Sequence, residues 1–126
     1  MWLNITVLVI IFIIVLLSFG GLVFVENITE DLENSLNILE EKIQREQWDA
    51  AKTIYKNVNK SWGKATNIFP LILDHAEFHD LEIALSRIGA LIQQKNRANI
   101  LPEIKISLDL LDNIKKQQKL SVENIF

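Results

Sequence analysis

Asp74-His75-Ala76-Glu77-Phe78-His79-Asp80 brings two imidazoles and three carboxylates into seven consecutive residues of a 126-residue chain. On a helix, His75 and His79 are four apart and share a face, and Glu82 extends that row three residues further. Two histidines and one carboxylate can hold a zinc ion. The order nevertheless departs from the His-Glu-x-x-His pattern of zinc proteases, because the carboxylate stands one place too late. His75 is instead expected beside the core with a hydrogen-bonded neighbour, and His79 in solvent. Proton sensing is the other use open to His75, since imidazole titrates near neutral pH.

No Ser/His/Asp constellation and no phosphate-cradling glycine pattern occurs elsewhere. With no cysteine in the chain, disulfides, thiolate metal sites and cysteine nucleophiles are excluded. The expectation is a protein that is not an enzyme and has no cofactor, no metal and no catalytic residues. A net charge of −3 also speaks against nucleic acid as the main partner, because phosphate binding needs a basic footprint.

A second pattern lies upstream. Trp48, Tyr55, Trp62 and Phe69 recur every seven residues, and Lys52, Lys56, Lys60 and Lys64 every four. On a helical wheel the aromatic residues spread over about 60°. Ala51, Ile54, Val58, Ala65 and Ile68 lie beside them, and the lysines occupy the other side. Large rings alternating with small residues make a packing seam against a neighbouring helix. An open aromatic groove for a ligand would need that face to lack a neighbour. The lysine row reads as a solvated face, although anionic headgroups or an acidic partner could use it.

The elements that carry these residues read as helices throughout. Asn27 with Glu30 three residues on suggests a helix start, and Ile28, Leu32, Leu36, Leu39 and Ile43 follow at helical spacing, giving a helix of roughly residues 29–45. A polar break at 45–47 precedes a helix running from about Trp48 toward Phe69. Pro70 implies a kink or restart there. Phe78, Leu81, Leu85, Ile88 and Ile92 then mark another helix. After a break at 93–96, a last helix is expected from near Asn99, with Pro102 in its first turn and an apolar face of Ile104, Leu108, Leu111 and Ile114. The breaks after Ile43 and Ile92 recur about 49 residues apart, as two helical hairpins would. Strand signals are absent outside the N-terminal segment.

That segment sets the chain's organisation. Residues 1–25 carry no charged side chain, and Val7 to Leu17 is uninterrupted apolar sequence. About 20 helical residues cross a bilayer's hydrocarbon core, so residues 3–25 suffice. A cleaved signal peptide is the competing reading, with Ser18-Phe19-Gly20 as a small-x-small site. It lacks a basic n-region, however, and the apolar run continues past that site. The expected division is an anchor at 1–26, a helical bundle at 27–120 and a tail at 121–126, with Ile125 and Phe126 packing back on the bundle. Neither flank of the span has a basic cluster, so no positive-inside bias retains the bundle in the cytoplasm. It is expected outside the cytoplasmic face of the cell membrane.

Taken together, the N-terminal span, "QWDAA", Trp62, "DHAEFHDLEIAL" and "LSVENIF" resemble domain-of-unknown-function family 4363. The likeness covers nearly the whole chain. Its most specific parts are Trp48, Trp62, His75-Ala76-Glu77 and Asn124-Ile125-Phe126, which makes His75, Glu77, Trp48 and Trp62 the candidate functional residues. The resemblance implies a short membrane-anchored protein of Gram-positive, often spore-forming, bacteria. It also implies an accessory role beside another membrane protein, and no assigned activity. The reading at this level is all-α: one transmembrane helix followed by a small antiparallel bundle acting as an interaction module. An extracytoplasmic sensor or ligand-binding domain is the alternative.

Overall fold

The computed structural model describes the backbone of residues 2–125, and the side chains of all of these except residues 72, 121, 122, 124 and 125. Among the described residues the fold is all-α. Its five helices are α1 (Trp2–Gln44), α2 (Trp48–Ala65), α3 (Phe69–Ile72), α4 (His75–Gln93) and α5 (Arg97–Ile125).

α1 is one unbroken helix of 43 residues, about 65 Å long. Its N-terminal half is exposed on every side, and none of its most apolar 18-residue window is buried. Burial begins at Val25 and continues through Ile28, Leu32, Leu36, Leu39 and Ile43. The expected helix start at Asn27 is therefore corrected, because the chain does not leave the helix there. The Thr29 hydroxyl donates to the Val25 carbonyl one turn back, at 2.7 Å, which occupies it within a continuing helix. The division expected at 26/27 thus runs through the middle of α1.

The second half of α1 packs against α2 on one side and α5 on the other, while α4 packs on α5 and more lightly on α2. Cross-links between distant residues show antiparallel neighbours. Lys115 Nζ meets Glu33 Oε2 at 2.7 Å between α5 and α1, and Arg87 meets Glu103 at 3.6 Å between α4 and α5. Leu32, Leu36, Leu39, Ile43, Leu81, Ile88, Ile92, Ile100, Ile104, Leu111 and Ile114 are fully buried between them. Each contributes about 1.5–3 kcal/mol of apolar burial.

The two hairpin turns are built alike. α1 ends with Glu46 at φ 55° and α4 with Lys95 at φ 52°. Gln47 N–H donates to the Lys42 carbonyl at 2.9 Å, and Asn96 N–H to the Leu91 carbonyl at 3.1 Å. These are the six-to-one bonds of a Schellman helix end, repeated at the offset that the polar breaks suggest. A side chain in the left-handed region costs about 1–2 kcal/mol. Glu46→Gly and Lys95→Gly are each expected to raise stability by about 1 kcal/mol once glycine's greater unfolded freedom is offset. Thermal melting followed by circular dichroism checks this.

Three further boundaries differ from expectation. α2 stops at Ala65, and the Thr66 hydroxyl closes the end by donating to the Gly63 carbonyl at 2.8 Å. Phe69 therefore belongs to the short α3, although it stays buried. α5 begins at Arg97, after Asn96, whose side chain accepts from Asn99 N–H at 3.3 Å. Pro102 consequently lies inside the helix rather than in its first turn. Ala98, whose carbonyl lacks the Pro102 partner, is exposed to water. Finally, α5 continues to Ile125, so no helix end separates the 121–126 tail. Packing of Ile125 and Phe126 on the bundle concerns side chains outside the described ones.

Candidate functional site

The aromatic row of α2 is a seam within the chain's own fold. Ala51, Val58 and Ala65 are fully buried, while Tyr55 and Trp48 are half-buried against the core. Lys52, Lys56, Lys60 and Lys64 are all exposed. Tyr55 crosses to α4, where its hydroxyl donates to the Leu85 carbonyl at 2.8 Å. The ring lies against Gly89, and a Cβ built on that glycine would contact the Tyr55 hydroxyl and stand 2.7 Å from Cζ. A side chain at this position would force the ring to shift.

Trp62 sits at the opposite end of α2 from Trp48, fourteen residues or about 21 Å along the axis. Its ring stacks on Phe78 of α4, with centroids 5.1 Å apart, and meets Phe69 of α3 edge-on at 6.1 Å. Trp62 is only 8% exposed. The two tryptophans therefore do not form one site.

His75 is the first residue of α4, behind Asp74, whose carboxylate accepts from Ala76 N–H at 3.4 Å. His75, His79 and Glu82 are all exposed. Among the described residues, no three histidine, aspartate or glutamate side chains come together as a metal-holding set. His75 does not flank the core as expected. Glu77, by contrast, is half-buried, and its Oε1 accepts from Gln117 Nε2 of α5 at 2.6 Å. Its Oε2 is buried without a hydrogen-bond partner. Trp62, His75 and Glu77 thus share the end of the bundle from which the apolar half of α1 leaves, and Trp48 lies at the far end.

Sequence reasoning missed a cleft of about 520 Å³ at that same end, between α1 and α5. Leu22, Val25 and Ile114 give it an apolar side, and Glu26, Glu30, Lys115, Lys119 and Glu123 charged ones. The Lys115–Glu33 ion pair beside it ties the two helices together. The separate amphipathic patterns of α1 and α5 reveal two faces, but not that they meet there.

Two basic-range titrations report on this packing. Burial pushes the Tyr55 phenol above its usual range, against smaller opposing hydrogen bonds with Asn59 and the Gly89 backbone. The hydrogen bond to Glu33 holds the Lys115 ammonium above its usual range as well. Both groups keep their protons more firmly folded than unfolded. Their contribution is therefore complete below the unfolded values, near pH 10, and is lost as pH rises through the folded ones. Stability is expected to fall above about pH 10, less steeply in Tyr55→Phe and in Lys115→Gln. Tyr55 is the chain's one tyrosine, so phenolate absorbance follows it directly.

The fold and this site define an all-α bundle protein carried on one long apolar helix. Residues 19–125 match the family model of the domain of unknown function DUF4363, and the chain belongs to that family. Searches of curated proteins and of solved structures find no match.

Proposed function

We propose that the chain is a non-enzymatic interaction module, held in the cell membrane by residues 3–25 and serving as an accessory subunit to another membrane protein. The observation that carries this reading is the division of α1. One half is apolar and exposed on every side, while the other half is a central wall of the bundle. An apolar helix without a partner in its own fold needs lipid or protein around it.

In this reading the bundle lies outside the cytoplasmic face, since the flank of the span is acidic rather than basic. A C-terminal alkaline phosphatase fusion is then active, whereas an active cytoplasmic reporter overturns the orientation. Crosslinking in native membranes followed by co-purification should recover a stoichiometric membrane protein. A strictly solitary chain argues against the accessory role.

A second reading, a ligand-binding domain, draws support from the cleft between α1 and α5 rather than from the aromatic face, where Tyr55 and Trp62 already pack on α4. It predicts that side chains blocking the cleft abolish a phenotype while melting is unchanged.

A further inference from the structure

The segment between α2 and α4 has an apolar tip with no role in the core. Phe69 is fully buried and Leu73 nearly so, four residues apart on one side of the α3 turn. Leu71 lies between them on the other side and is 83% exposed. Outside the apolar half of α1, no other described large hydrophobic side chain is as exposed. One exposed leucine is ordinary by itself; its place at this end of the bundle is what points to a surface it meets.

The height of α3 identifies that surface. Measured from the turn at 45–47, the 18 residues of α2 rise about 27 Å, and residues 44 back to 25 of α1 about 30 Å. α3 therefore stands level with Val25, where α1 passes from bundled to fully exposed apolar helix. Leu120 of α5, 57% exposed, lies at the same end, because α5 runs antiparallel to α1 and its Lys115 meets Glu33. Lys64 in the last turn of α2 and Lys119 beside Leu120 are exposed at this end, together with the acidic Glu26, Asp74 and Glu123. Apolar tips at an end of mixed charge that includes two lysines suit the boundary between acyl chains and headgroups, where long basic side chains reach back to phosphates.

We propose that α3 is a second membrane contact: Leu71 inserts into the lipid surface beside α1 and holds the bundle upright on the bilayer. The inference rests on the proposed crossing of the bilayer by α1. Apolar burial drives the insertion, so it occurs in zwitterionic as well as anionic lipid.

Because the chain has no cysteine, single cysteines can carry an environment-sensitive fluorophore in the full-length protein. Leu71→Cys tests the contact, Val15→Cys tests the span, and Gln94→Cys marks the far turn. In phosphatidylcholine vesicles, with and without phosphatidylglycerol, the labels at 15 and 71 should emit to the blue and respond to lipid-borne quenchers. The label at 94 should respond only to a quencher in water. A lipid-embedded label at 15 with a water-exposed one at 71 overturns the inference and leaves the anchor standing. A water-exposed label at 15 removes the anchor, and the inference with it. Shielding at 71 that fades as the protein is diluted in lipid points to a second copy of the chain and also overturns the inference. Leu71 makes no core contact, and unchanged melting of Leu71→Cys checks that the label reports on a folded bundle.

Discussion

Replacing Trp62 by alanine is expected to cost about 3–5 kcal/mol of folding stability. A domain of this size has about 5–15 kcal/mol in total, so the variant should melt far below the parent. The magnitude follows from position. Trp62 is buried, with Phe78 stacked on its ring and Phe69 packed at right angles to it. Those rings come from α4 and α3, so the indole joins three consecutive elements at one end of the bundle. Removing it leaves a void between two rigid rings that the backbone cannot close. Trp62→Phe keeps part of the stack and should lose about 1–2 kcal/mol. His75→Ala, on an exposed side chain, should stay within about 0.5 kcal/mol. Melting of the full chain in detergent, followed by helical ellipticity, separates these outcomes. Unchanged melting in Trp62→Ala would mean that the aromatic cluster is not structural.

Gly89→Ala should be nearly as damaging, although it adds one methyl group to a helix and alanine is the better helix former. The new Cβ would lie within van der Waals contact of Tyr55, 2.7 Å from Cζ and 2.8 Å from Cε1. Those atoms belong to a flat ring whose hydroxyl is tied to the Leu85 carbonyl. The ring must move away, at about 1–3 kcal/mol for overpacking and about 1 kcal/mol for the lost hydrogen bond. Tyr55→Leu in the same chain removes the ring and should make the glycine change nearly silent. A double-mutant cycle therefore predicts strong coupling between positions 34 residues apart in sequence. Additive effects would place the two side chains out of contact.

The sequence makes the faces of these helices readable and their ends much less so. Leu32, Leu36, Leu39 and Ile43 announce a buried stripe because burial repeats with the helix, and the same holds for Leu81, Leu85, Ile88 and Ile92. The start of α1 is hidden, since a cap-like Asn27 is worth only about 1 kcal/mol, less than the packing that carries the helix through it. Pro102 misleads in the same way: α5 tolerates it where Ala98, whose carbonyl loses its partner, is an exposed residue.

The candidate site divides along the same line. The proximity of His75 to Glu77 is local and legible. The pairing of Glu77 with Gln117, like that of Tyr55 with Gly89, depends on helix register across 30 or more residues. Periodicity within one helix carries no information about that register. The alternation of rings with Ala51, Val58 and Ala65 does foretell a close neighbour, but not that the neighbour is α4 on one side and α1 on the other.

The unbroken course of α1 has a mechanical consequence. A helix of 43 residues without proline couples its two halves in rotation as well as in distance. Each residue advances the phase by about 100° and the length by about 1.5 Å. The compass direction of the lysine row, relative to whatever surrounds the apolar half, is thus determined by residue count alone. One residue added or removed near Phe24 would turn the bundle by more than a quarter circle while leaving its core intact.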